Sequence, residues 1–225
     1  MAGLLGGILC SRTLAGLVAA HHGWRAMFWL GVPLALSAAA VMAWRLPRGT
    51  RPAPGLSYRT ALASLGRFWR TTPPLRRATL IQAGLFASFS AFWSLLALHL
   101  AEPAFGLGAD AAGLFGLVGV IGLIAAPLGG RLSDRYGPRP TIALGSLLTL
   151  LAWGLLGWNG GGVPALVAGV ILLDFGVQLA LVSNQHVVYA LDAAARILLN
   201  TLFMTRMILG GVAGSALAGL VWPEG

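Results

Sequence analysis

The chain has 225 residues, of which 57% are hydrophobic and 9% charged, and its mean hydropathy is +0.82. The apolar residues fall in runs too long for a soluble core, which indicates an integral membrane protein. A net charge of +9 would favour nucleic-acid binding in a soluble chain. Here the arginines flank apolar runs, so the expected partner is the lipid bilayer, with no nucleic acid.

Seven apolar runs are each long enough to cross a hydrocarbon layer of ~30 Å as a helix. None of them alternates apolar and polar residues, as the strands of a membrane barrel would. The predicted fold class is therefore all-α, a polytopic membrane helix bundle with about seven transmembrane helices. The runs cover residues 2–20, 26–44, 78–100, 111–130, 140–158, 164–184 and 201–221.

The first run contains a cysteine and a charge. Cys10 is the single cysteine of the chain, so an intrachain disulfide is excluded. Arg12 lies in the middle of the run, where a charge is costly unless it faces protein or water. Arg12 must therefore face inward or pair with an acid, such as Asp174 in the sixth run.

The longest polar segment, 45–77, separates the second run from the third. Its part "SYRTALASLGRFWRTTPP" has Leu62, Leu65 and Trp69 at helical spacing, with arginines beside them. This pattern favours a basic amphipathic helix on the cytoplasmic membrane surface over an unstructured linker. The segment has no acidic residue and eight arginines: Arg45, Arg48, Arg51, Arg59, Arg67, Arg70, Arg76 and Arg77.

The charged loops predict the orientation of the runs. Arginines recur after the fourth and sixth runs, whereas the loops after the third and fifth runs have none. Under the positive-inside rule the arginine-rich loops are cytoplasmic, Gly225 lies outside, and only Arg25 breaks the pattern. Indole rings near run ends are expected to anchor the helices at the interfaces; they belong to Trp24, Trp29, Trp93 and Trp158.

A weak internal repeat links the first and last runs. The segments "GGILCSRTLAGLV" at 6–18 and "GGVAGSALAGLV" at 210–221 share a glycine pair, a serine and "LAGLV". If the repeat is real, its unit is six helices in parallel orientation, which is a transporter architecture. The alternative is a chance likeness between helices whose small residues serve close packing.

A charged stretch, "GGRLSDRYGPRP" at 129–140, lies between the fourth and fifth runs. Its glycines allow a tight cytoplasmic turn. The pattern Gly130-x-Leu132-x-Asp134-Arg135-x-Gly137-x-Arg139 resembles the signature loop of the major facilitator superfamily, which follows helix 2 and recurs after helix 8. The chain departs from that pattern at Pro138 and Pro140.

Other segments resemble the same family in the same register. The stretch "GWRAMFWL" at 23–30 is similar to its turn between helices 5 and 6, and 45–77 matches the long loop between its halves. Residues 172–201 resemble helix 10 and the next loop in the bacterial drug and sugar efflux branch. The resemblance implies helices 5 to 11, with 1–45 ending the N-terminal half, 46–77 as linker and 78–225 as a C-terminal half lacking its final helix. We therefore expect a fragment or the product of a disrupted gene.

The resemblance also implies a function. It predicts a proton-coupled secondary transporter of the bacterial inner membrane that exports small organic molecules by alternating access. Gly130, Asp134, Arg135, Gly137 and Arg139 would form its gating loop. The alternatives are a non-functional truncated fragment, or a membrane scaffold whose working surface is the basic segment 45–77.

Polar residues inside the runs are the candidates for substrate binding or proton coupling. In the resemblance, helix 10 lines the central cavity, which makes Asp174 and Gln178, one turn apart, candidates together with Arg12. A structural aspartate bonded to neighbouring helices is an equal alternative for Asp174. We expect no cofactor, and no metal site because His21 and His22 have no further ligand nearby. No enzyme motif is found, and the oligomeric state stays open.

Overall fold

The computed structural model describes residues 21–45, 58–101, 121–158, 162–193 and 195–222, with isolated positions 7, 11, 14, 15, 17–19, 115 and 118. These ranges hold seven helices and no strand, which confirms the all-α fold class. In chain order the helices are α1 (Trp24–Arg45), α2 (Tyr58–Thr71), α3 (Pro73–Ala101), α4 (Ile121–Tyr136), α5 (Pro138–Trp158), α6 (Val163–Leu191) and α7 (Arg196–Val221).

Five of these helices are long and apolar enough to cross a membrane. Each contains most or all of one predicted apolar run, so the bundle is an integral, multi-pass membrane protein. The candidate spans are Arg25–Arg45, Pro73–Ala101, Pro138–Gly157, Val163–Leu191 and Arg196–Val221. Most of the predicted run 2–20 lies outside the described residues, as does much of the first half of the run 111–130, whereas α4 includes the second half of that run.

Helix α6 lies at the centre of the described bundle. It contacts α3, α4, α5 and α7, and its most extensive contacts are with α5. The other extensive pairing is between α3 and α7. Half of the apolar window of α6 is buried by protein, whereas none of that of α1 is. Polar groups on α6 are therefore the best placed to face protein instead of lipid.

Small residues bring the paired helices close together. A Cβ atom added to Gly145 of α5 would lie 2.6 Å from the carbonyl oxygen of Gly176 on α6. In the same way, Gly210 and Gly214 of α7 lie against the backbone of α3. Close packing therefore accounts for Gly210 and Gly214 in the segment 210–221. The matching segment at 6–18 lies mostly outside the described residues, so the repeat stays a prediction.

The charged stretch at 129–140 is mostly helical. Helix α4 continues to Tyr136, six residues beyond the predicted end of its apolar run, so Gly130, Asp134 and Arg135 lie in its last two turns. The turn is made at Gly137, whose φ of 87° is in the left-handed region that favours glycine. Helix α5 then starts at Pro138, a position where proline is well tolerated.

Candidate functional site

Asp174 is buried near the middle of the central membrane helix, as its sequence position predicts. It lies in α6 with 7% of its surface exposed. Apolar side chains of an extended cluster surround this level of α6, among them Leu173 and Val177. A carboxyl group at such depth is costly unless other groups in the protein bond to it.

The indole of Trp93 supplies such a bond. Its Nε1 donates a hydrogen bond to Oδ1 of Asp174 over 3.2 Å, joining α3 to α6. The ring also packs edge-on to Phe92, with centroids 5.9 Å apart. Trp93 thus holds a buried carboxyl, while its expected role as an interface anchor stays a prediction.

Trp93 also lines an open groove between α3 and α7. The groove has a volume of about 750 Å³ and is walled by aromatic rings, including Phe86 and Phe89, and by serine hydroxyls. The hydroxyls of Ser94 and Ser215 form a hydrogen bond of 2.7 Å that joins α3 to α7 at the wall of the groove. Trp93 therefore connects a wide amphipathic groove to the buried carboxyl of Asp174.

Gly211 of α7 lies on the wall of this groove, close to side chains of α3. A Cβ atom at this position would lie 2.8 Å from the ring of Phe86 and 2.8 Å from the hydroxyl of Ser90. Any larger residue would therefore force these side chains of α3 to move. The glycine keeps one ring and one hydroxyl available on the wall of the groove.

The other two candidates have less support from the structure. Gln178 is half-buried on α6, one turn from Asp174 and on the same helix face. Arg12 lies outside the described residues, so its pairing with Asp174 stays a prediction.

A second buried polar pair joins α3 to α6 and does not belong to the predicted site. The Nδ2 of Asn184 donates to Oε1 of Gln82 over 3.1 Å, and both residues are fully buried. Among the described residues, Nε2 of Gln82 and Oδ1 of Asn184 have no hydrogen-bond partner, nor do Oγ1 of Thr79 and Nε2 of Gln185. In the sequence, this pair could have been suspected because Gln82 and Asn184 are polar side chains within apolar runs, as Asp174 is.

The predicted gating residues lie at the ends of α4 and α5. Asp134 is exposed, and its Oδ1 lies 3.7 Å from Nδ1 of His186 on α6. The guanidinium of Arg135 lies over the ring of Tyr136, and Arg139 is exposed at the start of α5. The structure thus brings the charged end of α4 to α6, while the gating role stays a prediction.

Metal binding has no support in the part of the chain that the structure describes. In those ranges, no three His, Cys, Asp or Glu side chains are grouped so that they could hold a metal ion.

The chain is similar to proteins that carry the name of transporters. It is 37% identical to "Uncharacterized transporter YgaY" of Escherichia coli O157:H7 over 226 aligned positions, which cover 100% of this chain and 57% of that protein. It is 35% identical to "Probable transporter SCO4007" of Streptomyces coelicolor over 221 positions, covering 97% and 51%. The chain thus spans about half the length of the curated relatives it matches. No family model matches it.

Proposed function

We propose that this chain forms part of a proton-coupled secondary transporter of the major facilitator type, which exports small organic molecules by alternating access. The observation that carries the proposal is the buried carboxyl of Asp174, bonded by the indole of Trp93 at the edge of an open groove. The names of the two relatives add support, since both are called transporters. Export, the proton and the family follow from the resemblance of the sequence motifs.

Proton binding at Asp174 would change its bond to Trp93. A charged carboxylate accepts a stronger hydrogen bond from the indole N–H than a protonated carboxyl does. Protonation therefore weakens the hold on Trp93, whose ring forms part of the groove wall. In this proposal the proton and the substrate are coupled through the position of one side chain, with Gln178 and Arg12 as further candidates on the pathway.

The groove suits molecules that have both an apolar ring and a polar group. Rings such as Phe86 and Phe89 offer stacking surfaces. The hydroxyls of Ser90, Ser94 and Ser215 can donate to or accept from a polar substituent. Drugs, sugars and metabolites with a ring and hydroxyl or amino groups all meet this description.

The gating part of the proposal concerns the charged end of α4. Asp134, Arg135 and Arg139 lie beside the single non-helical residue, Gly137, that joins α4 to α5. Because one residue joins the two helices, a movement of α4 would be transmitted to α5. We propose that this end, with Gly130 in the last two turns of α4, closes the cytoplasmic side of the transporter.

Flux in proteoliposomes tests the proposal. The transporter of which this chain is proposed to form part is reconstituted with a pH indicator dye inside the vesicles, and a proton gradient is imposed in the presence of ethidium or a fluorescent glucose analogue. We expect gradient-driven movement of one probe, reduced at least about tenfold by Asp174→Asn because the variant cannot take up a proton. Asp174→Glu should retain part of the flux.

The matched control is Asp192→Asn, which removes a carboxylate outside the helices. Oδ1 of Asp192 accepts from the backbone N–H of Ala195, and an asparagine oxygen can accept in the same way. Its flux should equal that of the unsubstituted chain. Probe movement that is equally fast with Asp174→Asn, or that is independent of the proton gradient, would contradict the proposal.

A further inference from the structure

Helix α2 is docked on the bundle through its apolar face. Leu65, Phe68 and Trp69 pack against a buried cluster formed by α3, the end of α6 and α7, whose members include Leu75 and Phe203. The strongly amphipathic pattern of 58–71 predicts a helix on the lipid surface, and the helix itself is confirmed. Leu65, Phe68 and Trp69 of its apolar face are, however, half-buried against protein.

A cation over an aromatic ring fixes the same helix to α7. The guanidinium carbon of Arg206 lies 4.4 Å from the centroid of the Trp69 ring. Such contacts are attractive because the ring face is negative. Movement of α2 is therefore coupled to α7 as well as to α3, which begins after Thr72.

The opposite side of α2 and the start of α3 carry exposed positive charge. Among the side chains that the structure describes there, the exposed arginines are Arg67, Arg70, Arg76 and Arg77. The helices α2, α3 and α7 contain no Asp or Glu at any position. The arginines therefore have no carboxylate on these three helices to pair with, and their exposed guanidinium groups can bind an anion from outside the protein.

The depth of these arginines in the membrane indicates the kind of anion. Helix α3 is a membrane-spanning helix that begins at Pro73, so Arg76 and Arg77 in its first turns lie at the level of the lipid headgroups. The cytoplasmic leaflet, where the arginines place this end, is rich in anionic lipids. Guanidinium groups bind phosphate through paired hydrogen bonds, which suits the phosphodiester of a phospholipid.

We propose that Arg67, Arg70, Arg76 and Arg77 form a binding surface for the phosphate groups of anionic phospholipids. Because α2 packs on both α3 and α7, lipid bound at this surface stabilises the cytoplasmic end of the bundle. The inference does not depend on transport by the chain.

The test titrates lipid into the purified full chain in mild detergent. Phosphatidylglycerol should raise the apparent unfolding temperature and stay bound in native mass spectrometry, whereas phosphatidylcholine should do neither. In Arg67→Gln/Arg70→Gln, the phosphatidylglycerol concentration for half of the shift should rise roughly tenfold, because two phosphate-binding charges are lost. The variant Arg67→Lys/Arg70→Lys should recover most of that binding, which separates loss of charge from misfolding.

The control Arg45→Gln/Arg131→Gln removes two exposed arginines from other cytoplasmic helix ends. It should bind phosphatidylglycerol as the unsubstituted chain does. An equal loss of binding in this control would overturn the proposal, since net charge alone would then explain the effect. So would an equal temperature shift produced by glycerol phosphate in solution, because the source of the phosphate would not be lipid.

Discussion

The bond between Trp93 and Asp174 is the contact on which most of the proposed chemistry depends. Trp93→Phe keeps an aromatic ring and removes the N–H donor, while Asp174→Asn keeps the shape of the acceptor. Hydrogen bonds between membrane helices contribute on average ~0.6 kcal/mol, with larger values where a charge takes part. We expect Trp93→Phe to lower the free energy of unfolding by about 0.5–2 kcal/mol.

A double-mutant cycle measures this bond. Unfolding in mixed detergent micelles would be followed for Trp93→Phe, Asp174→Asn and the double variant. The coupling energy should be at least about 0.5 kcal/mol because the two side chains contact each other directly. Additive effects would show that the indole and the carboxyl do not stabilise one another.

At Gly137 the backbone conformation determines the energetic cost of a substitution. Its φ of 87° is unfavourable for any residue with a Cβ atom. Gly137→Ala should therefore destabilise the chain by about 1 kcal/mol, measured by the same unfolding experiment. Gly130→Ala is the control, since Gly130 is helical and a Cβ there meets nothing within 4 Å. It should be neutral or stabilising, and an equal loss in both would argue against strain at the turn.

At the scale of elements, the contact between α5 and α6 depends on two facing glycines. A Cβ on Gly176 would lie 2.7 Å from the carbonyl oxygen of Gly145 and 2.8 Å from Oγ1 of Thr149. Gly145→Val should force the helices apart and cost about 1–3 kcal/mol, as overpacking usually does. The matched control on the same helix is Gly154→Val, where the Cβ has open space.

The glycine prediction is checked by thermal unfolding of the two purified variants. Gly145→Val should unfold several degrees below Gly154→Val. If both variants unfold at the same temperature, the close approach of α5 and α6 does not contribute to stability.

The pair between Gln82 and Asn184 is the polar contact that joins α3 to α6 at the level of Thr79. Gln82→Leu leaves the Nδ2 of Asn184 without its acceptor in a buried site, which should cost about 1–3 kcal/mol. Adding Asn184→Leu removes the second amide too. The double variant should therefore be more stable than Gln82→Leu, as measured by unfolding. A double variant that is the less stable of the two would show that the remaining amide finds another partner.

Helix α4 shows that the end of an apolar run and the end of a helix can lie at different residues. The apolar run ends near residue 130 because arginines and an aspartate follow. Backbone hydrogen bonding does not end there, since a helix can continue out of the hydrocarbon layer with polar side chains in water. A boundary read from apolarity marks the edge of the membrane, and the end of a helix can lie beyond it.

At the scale of the whole molecule, the arginine distribution predicts an orientation that can be measured. In a Cys10→Ser background, Arg139→Cys places a single thiol at the start of α5, and Val163→Cys places one at the start of α6, five residues after the end of α5. Both native residues are exposed. An impermeant maleimide added to intact cells should label position 163 and not 139. Inverted membrane vesicles should give the reverse, and labelling of both positions from one side would exclude α5 as a span.

The buried carboxyl could be predicted from the sequence, whereas its partner could not. Asp174 is the charged residue of an apolar run. Because a charge in lipid is costly, such a residue is expected to face protein or water inside the bundle. Trp93 looks like any indole near a run end. Its role depends on how α3 is rotated against α6, which is decided by packing across 81 residues of sequence. The pair of Gln82 with Asn184 could not be predicted either, because it too depends on how α3 packs against α6.

The sequence by itself determined that the chain lies in a lipid bilayer, that its fold is all-α, and where five of the membrane spans lie. It could do so because the free energy of transferring a side chain into lipid is a property of each residue and its neighbours. It also determined the amphipathic helix at 58–71, since helical periodicity is local. Only the tertiary structure decided that this helix lies on protein, that α6 is central, and that Trp93 holds Asp174 beside a groove. These depend on which helix faces meet, and contacts between residues distant in the chain decide that.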